Sequence, residues 1–223
     1  MTSTVTEDYL IAICTLTDEG QPATLARLAA YCGVTPPTIG EAARRLERDG
    51  LVHLEPRRHV ELTPAGREIA DTLLRRHRLI ERWLTDALGL DWATAHEEAH
   101  RLEHAVSPVV EERMAASMQY PDTCPHGNPI RPLNAEERAA PLLSLGDVAP
   151  GVPVRLRRIS ELAEDNHELM IFYESHGFRP GTLLCVRDRG PLHGPLTVEV
   201  AGRDVAMSPE SAAYLWVWSP ASE

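Results

Sequence analysis

Lysine does not occur in this 223-residue chain: all 22 basic residues are arginine, set against 33 aspartates and glutamates, for a net charge of −11. Spread evenly, such acidity would exclude nucleic acid as a partner, because DNA binding rests on neutralising phosphates. Cysteine is scarce and scattered. Cys14, Cys32, Cys124 and Cys185 form no CxxC pair, which excludes a disulfide framework and a thiolate zinc finger and leaves reduced thiols as the expectation. No apolar run approaches the ~20 residues of a bilayer span, and the polar, acidic first eight residues carry no targeting signal. A cytoplasmic protein without membrane contact is expected. Hydrophobic content is an ordinary 43%, so a packed core is available, in one large domain or a few small ones.

The charge is not spread evenly. Residues 24–67 hold seven arginines (Arg27, Arg44, Arg45, Arg48, Arg57, Arg58, Arg67) against five acids (Glu41, Glu47, Asp49, Glu55, Glu61), a local +2. Residues 71–140 hold twelve acids against eight arginines, and residues 141–223 eleven against seven. The acidity sits behind a mildly basic front end.

That front end has a recognisable order. Residues 6–17 place Tyr9, Leu10, Ile13 and Leu16 at helical spacing behind an acidic first turn that contains Asp8. Residues 24–32 form a second helix stopped by Gly33. Thr35 then caps a third, with Pro36 and Pro37 in its first turn and Gly50 beyond its end. Helix, glycine turn, helix is a helix-turn-helix pattern. The apolar stretches 51–54 and 60–62 flank a turn with Arg57 and Arg58 at its tip, which reads as a β-wing. In that reading the third helix enters the major groove and the wing arginines reach phosphate or the minor groove. An ordinary αα-hairpin beside a hairpin loop is the alternative.

Thr63-Pro64 opens a helix of roughly 25 residues, ~37 Å, running to Leu88. Further helices are expected over 92–106 and 108–118, followed by a Pro-rich linker over 120–150. The last segment has five short strands (152–159, 182–187, 196–200, 203–207, 213–218) and one helix (166–176), the pattern of a small SH3-like barrel. The expected fold is mainly α with small β parts. Its units are a winged helix-turn-helix (1–70), a helical metal-binding and dimerisation domain (71–120), a linker (121–150) and the barrel (151–223).

Histidine and glutamate concentrate between these parts. His77 and Glu81 stand at i and i+4; His96, His100, Glu103 and His104 fall within an arc of roughly 100° on one helical face. A buried face bearing imidazoles and a carboxylate is costly unless something binds them, and nitrogen with carboxylate oxygen suits Mn, Fe, Co, Ni or Zn. Solvated histidines, with Glu81 paired to Arg78, are the plainer reading. The run His100-Arg101-Leu102-Glu103-His104 also spells the H-x-x-E-H motif of inverted zincins, in which the glutamate acts as base. A zinc hydrolase would need a further ligand and a cleft, and has no use for a winged helix.

The order of parts resembles the diphtheria toxin repressor family of metal-dependent transcriptional regulators, from Thr6 to about Trp218. Its markers are Thr6-Glu7-Asp8-Tyr9-Leu10, Glu47-Arg48-Asp49-Gly50-Leu51-Val52, Leu62-Thr63-Pro64-Ala65-Gly66-Arg67, Arg76-His77-Arg78-Leu79, His96-Glu97-Glu98-Ala99, Glu103-His104 and Gly127-Asn128-Pro129-Ile130. The resemblance implies a cytoplasmic homodimer, not an enzyme, that binds palindromic double-stranded operator DNA when a divalent metal is loaded. It implies two metal sites per chain, a primary one of Asp8, His100, Glu103 and His104 and an ancillary one of His77, Glu81 and His96.

Where the iron-responsive branch has methionine and cysteine, this chain has Asp8 and His100. The aspartate resembles the manganese-responsive branch, and exchanging soft sulfur for hard oxygen favours Mn(II). A nitrogen at His100 pulls back toward Fe(II), Co(II), Ni(II) or Zn(II). The barrel positions that supply extra ligands in some members hold Asn166 and Leu169, leaving Asp165, His167 or Glu168 as substitutes. On the DNA side, Thr35, Pro37, Thr38, Gly40 and Glu41 match the reading end of the recognition helix, with Arg27, Arg44, Arg57 and Arg58 around it. Glu41 replaces a family glutamine, which suits a cytosine amine. A metal-independent winged-helix regulator sensing a small molecule is the alternative within the same fold.

Overall fold

The computed structural model describes residues 3–55, 59–139 and 143–218, the side chains of Ala139 and His193 apart. The chain opens with α1 (Thr4–Asp18), α2 (Leu25–Tyr31) and α3 (Pro36–Arg48), then the antiparallel pair β1 (Val52–Glu55) and β2 (His59–Leu62), with Val52 opposite Leu62. Ser3, Thr24 and Thr35 cap the three helices, each side chain accepting from a backbone amide of the first turn. Leu10, Ile13, Leu28, Ile39, Leu46, Val52 and Val60 form the core of this winged helix-turn-helix head. Arg57 and Arg58, expected at the wing tip, lie outside the described residues.

The long helix α4 runs from Pro64 to Leu88, as the Thr63-Pro64 start and the Gly89 stop predict. Thr63 fastens its entry: the hydroxyl donates to the Gly50 carbonyl at 2.8 Å and accepts from the Gly66 amide at 3.1 Å. Helices α5 (Trp92–Leu102) and α6 (Pro108–Ser117) follow. Here the structure departs from expectation, since α5 ends at Leu102 and not near Val106. Glu103 and His104 therefore sit in the turn beyond the helix, free of its fixed face. The Pro-rich stretch carries a short helix, α7 (Ala135–Ala139).

The barrel comprises β3 (Leu143–Ser144), β4 (Pro153–Ile159), α8 (His167–His176), β5 (Leu183–Arg189), β6 (Leu196–Val200), β7 (Arg203–Met207), α9 (Pro209–Ala213) and β8 (Leu215–Trp218). Its antiparallel order is β3-β8-β4-β5-β6-β7. The sheet thus begins at Leu143, inside the stretch read as linker, because a two-residue strand leaves no alternation to read. The residues before β8 are helical, started by Ser208 as cap and Pro209 in the first turn.

The three parts are stitched together. Trp92 and Ala93 of α5 belong to the barrel's hydrophobic core, and Leu162 of the barrel packs against the core of the head. This interlock brings α1, α4, the end of α5 and the barrel's 160–165 turn to one junction. Among the described residues no helix is long and apolar enough to cross a membrane.

Candidate metal centre

Two groups of donors meet at that junction. The first joins α1 to the turn after α5. His104 Nε2 lies 3.1 Å from Asp8 Oδ1 and 3.2 Å from Glu103 Oε1. All three atoms are buried, yet none has a hydrogen-bond partner. Atoms this close without hydrogen-bond alignment are donors facing a shared space, which buried polar groups otherwise avoid. Glu7 fixes the imidazole from behind: its carboxylate is 2.7 Å from His104 Nδ1. Donation of the Nδ1 proton to Glu7 leaves the Nε2 lone pair pointing at Asp8 and Glu103. His100 stands at the mouth, its side chain 59% exposed, with Nδ1 3.3 Å from Glu103 Oε1.

The second group is built on Glu81, which is wholly buried on α4. Its Oε1 receives His77 Nε2 at 3.1 Å and His96 Nδ1 at 2.9 Å, and those two nitrogens are 3.1 Å apart. The barrel closes the group: Glu164 Oε2 is 3.5 Å from His96 Nδ1, and Asp165 Oδ1 is 3.2 Å from His96 Nε2. Behind Glu81 lies His126, fully buried, with Nδ1 3.0 Å from Glu164 Oε1 and 3.7 Å from Glu81 Oε2. Neither ring nitrogen of His126 nor Glu81 Oε2 has a hydrogen-bond partner. Buried Cys124 offers a sulfur to the same place, its Sγ within 4.8 Å of ligand atoms of Glu81 and His126. One contact joins the two groups: His77 Nδ1 is 2.6 Å from Glu103 Oε2.

The electrostatics follow from packing so many carboxylates out of water. Burial, with the neighbouring Glu103 charge, raises the Asp8 carboxyl, against the pull of His104 and His100. Burial and the neighbouring Glu81 likewise raise Glu164, against the pull of His126. Burial opposes ionisation of Glu103 too, but the neighbouring His100 and His77 imidazoles bring it down to about 2. Burial opposes charge on the imidazoles, yet Glu81 and Glu103 hold His77 well above its usual range, and Asp165 and Glu81 bring His96 up to about 9. Protons on imidazoles here supply the positive charge that the buried carboxylates require. A divalent cation does the same with more charge and directed bonds. The unpartnered oxygen and nitrogen atoms of both groups therefore fit a divalent transition ion.

The structure brings together Asp8, Glu103 and His104, and separately His77, Glu81 and His96, with His100 at the periphery of the first set. Glu7, Cys124, His126 and Glu164 were not among the expected site residues. Asn166 is no donor to the centre: its side chain caps α8, accepting from the Leu169 amide at 3.1 Å. Leu169 packs against the barrel core, and His167 pairs with Glu97 at 3.0 Å. Arg78, the partner that the plainer reading gives Glu81, instead binds Glu161 at 2.6 Å. Within the H-x-x-E-H spelling, Glu103 is held by His77 at 2.6 Å and turned toward His104, so its carboxylate is engaged where that motif needs a free base.

On the head, Arg27, Thr35, Pro37, Thr38, Glu41 and Arg44 are all exposed, with Thr35 capping α3 at its outer end. Gly40 is buried within its helix surroundings, but a Cβ added there would meet nothing within 4 Å. No packing inside the chain demands a glycine at that position.

Comparison with known proteins agrees with this geometry. Residues 1–60 match the iron dependent repressor N-terminal DNA binding domain, residues 63–132 the iron dependent repressor metal binding and dimerisation domain, and residues 143–218 the FeoA domain. The chain is 34% identical over 218 residues to the iron-dependent repressor IdeR of Mycobacterium leprae (strain TN), covering 94% of each chain. It is 34% identical over 209 residues to the diphtheria toxin repressor of Corynebacterium diphtheriae, covering 91% of each. A solved manganese-dependent transcriptional repressor in complex with manganese superposes with a TM-score of 0.84 at 31% identity, over 96% of this chain and 99% of that one. The chain belongs to the diphtheria toxin repressor family, the iron-dependent repressors, and is a metal-dependent DNA-binding transcriptional repressor of that family.

Proposed function

We propose that this repressor is switched by Mn(II), with Fe(II) as the competing ion, through two sites per chain: Asp8, Glu103 and His104 with His100 alongside, and His77, Glu81 and His96 completed by Glu164. The observation that carries the reading is the trio of buried, unpartnered atoms on Asp8, Glu103 and His104, drawn from two different parts of the fold. Bound there, a divalent ion supplies the charge that holds α1 against the turn after α5. Glu7 presents the His104 lone pair, and Glu103 ties the first group to the second through His77. His126 and Cys124 extend the second group and give it softer donors than the first.

The division of labour follows the chain: residues 1–70 bind DNA, 71–120 hold metal and dimerise, and the barrel completes the second site. A homodimer presents two recognition helices and so reads a palindromic operator. Working on operator DNA, it acts in the cytoplasm as a regulator, the metal serving as effector and not as catalyst. Selection from randomised duplex DNA with Mn(II), followed by anisotropy of the selected duplex with Mn(II) and with EDTA, tests the reading. Binding undiminished by EDTA would favour the metal-independent regulator.

Two substitutions sharpen it. Asp8→Met exchanges oxygen for thioether, so the operator response to Mn(II) should fall further than the response to Fe(II) in parallel titrations; an equal loss for both ions would remove the hard-donor argument. Gly40→Ala should stabilise the head by ~1 kcal/mol, the helix-propensity gain, while weakening operator binding, because the open space above Gly40 is where DNA would approach. Unchanged operator affinity in Gly40→Ala would take that stretch of α3 out of the interface.

A further inference from the structure

Helix α1 begins at Thr4, which puts Asp8 just past its first turn, and only this N-terminal part of the helix belongs to the first donor group. At the other end, Asp18 is held within the head by a bidentate pair with Arg67, at 2.8 and 2.7 Å. The next residue, Glu19, reaches outside the head. It is 6% exposed, and the barrel takes up its carboxylate: Oε1 accepts from Arg158 at 2.5 Å and from the Glu161 amide at 3.2 Å, and Oε2 accepts from Trp216 Nε1 at 2.8 Å. Arg158 also donates to Asn128 at 3.0 Å and lies over the Trp216 ring, 5.8 Å from its centroid.

This arrangement needs a local irregularity. The pairing of β4 with β8 shifts register between Leu156 and Arg158, and Arg158 and Ile159 are then buried in succession. Ile159 joins the barrel core while Arg158 meets the head. A buried ion pair is a weak source of stability but is costly to break from one side, so it defines position more than it adds cohesion.

The same stretch of barrel serves the second donor group. Between 158 and 165 the chain gives Arg158 and the Glu161 amide to Glu19, Leu162 to the head core, the Glu161 carboxylate to Arg78 of α4, and Glu164 and Asp165 to His96. Helix α1 packs into the head core, so tying its C-terminal end to the barrel as well as Asp8 to the first donor group sets the direction of the head as a whole. We infer that Glu19 is a positioning residue, the latch through which the barrel, seated on the second donor group, fixes α1 from its C-terminal end and so sets operator affinity. The inference rests on the metal-dependent repressor reading above.

The test uses the full chain, Mn(II) as probe, and the variants Glu19→Gln, Trp216→Phe and Glu164→Gln. Trp216→Phe keeps an aromatic ring against Arg158 while removing the N–H donor together with the pyrrole ring that carries it. With the latch as inferred, Glu19→Gln and Trp216→Phe bind as much Mn(II) as the parent protein in calorimetry, yet lose about tenfold in Mn-saturated operator affinity. Amides of the last turn of α1 lose their Mn-dependent protection from hydrogen exchange. Glu19→Gln combined with Glu164→Gln binds operator no more weakly than the worse single variant, since both cut one connection. Parental affinity and protection in Trp216→Phe and Glu19→Gln, or additive losses in the double variant, would overturn the inference. Should Glu19→Gln fail to fold, Trp216→Phe alone decides. A parent protein whose operator binding ignores Mn(II) would instead sink the reading under Proposed function.

Discussion

Glu103→Ala should abolish the metal response altogether. The residue is 1% exposed, and its two oxygens serve the two donor groups: Oε1 faces Asp8 and His104 without a hydrogen bond, while Oε2 takes His77 Nδ1 at 2.6 Å. Truncation removes one of the three convergent atoms of the first group and leaves His77 without the acceptor that orients its ring toward Glu81 and His96. Loss of an outer orienting partner alone typically costs ~10–100-fold in metal affinity, and Glu103 is here both donor and orienting partner. We expect Mn(II) affinity of the first group to fall at least ~100-fold, and operator affinity at saturating Mn(II) to fall to the EDTA level. Calorimetry and anisotropy on the selected duplex measure the two quantities. A variant that keeps Mn-dependent operator binding would show that Asp8 and His104 suffice, and the centre would have to be redrawn around His100.

The parts of this molecule that local chemistry dictates were legible in the sequence, and the parts that long-range packing dictates were not. Helix α4 begins and ends where Thr63-Pro64 and Gly89 place it, because a capping hydroxyl, a proline in the first turn and a left-handed glycine act over a few residues. The winged head and the barrel strands after β3 follow from patterning of the same short range. Glu164 and His126 were missed for the opposite reason. Nothing near Cys124-Pro125-His126 marks it as more than a turn, and its nearness to Glu81 exists only once the barrel has docked. Trp92 likewise reads as the first residue of α5, yet it completes the core of a domain that begins fifty residues later. The approach of Asp8 to His104 was expected from family resemblance, not from spacing, since no local rule connects residues 8 and 104.

The second large effect belongs to the fold that carries the recognition helix, and it isolates the head from the metal centre. Gly66 lies in the first turn of α4, where an added Cβ would stand 2.0 Å from the Leu51 carbonyl oxygen and 3.0 Å from its carbon. The obstacle is backbone, so no side chain can swing aside. That carbonyl is also committed, accepting from the Thr63 amide at 3.0 Å, and Thr63 binds the neighbouring Gly50 carbonyl. Moving α4 outward to admit a methyl group would break this junction at the base of the wing. Overpacking usually costs ~1–3 kcal/mol and more where the surroundings cannot yield, so Gly66→Ala should destabilise the head by about 3 kcal/mol or more. The second donor group lies farther along α4, at His77 and Glu81, and draws its remaining residues from α5 and the barrel, so it should still bind Mn(II) at temperatures where the variant head has melted. Calorimetric unfolding would then separate into a lowered head transition and a nearly unchanged, Mn-stabilised remainder, with operator binding lost at the first. A single transition at the parent temperature would mean that α4 can shift without harm to the wing, and that the glycine in Thr63-Pro64-Ala65-Gly66 serves some purpose other than this close approach.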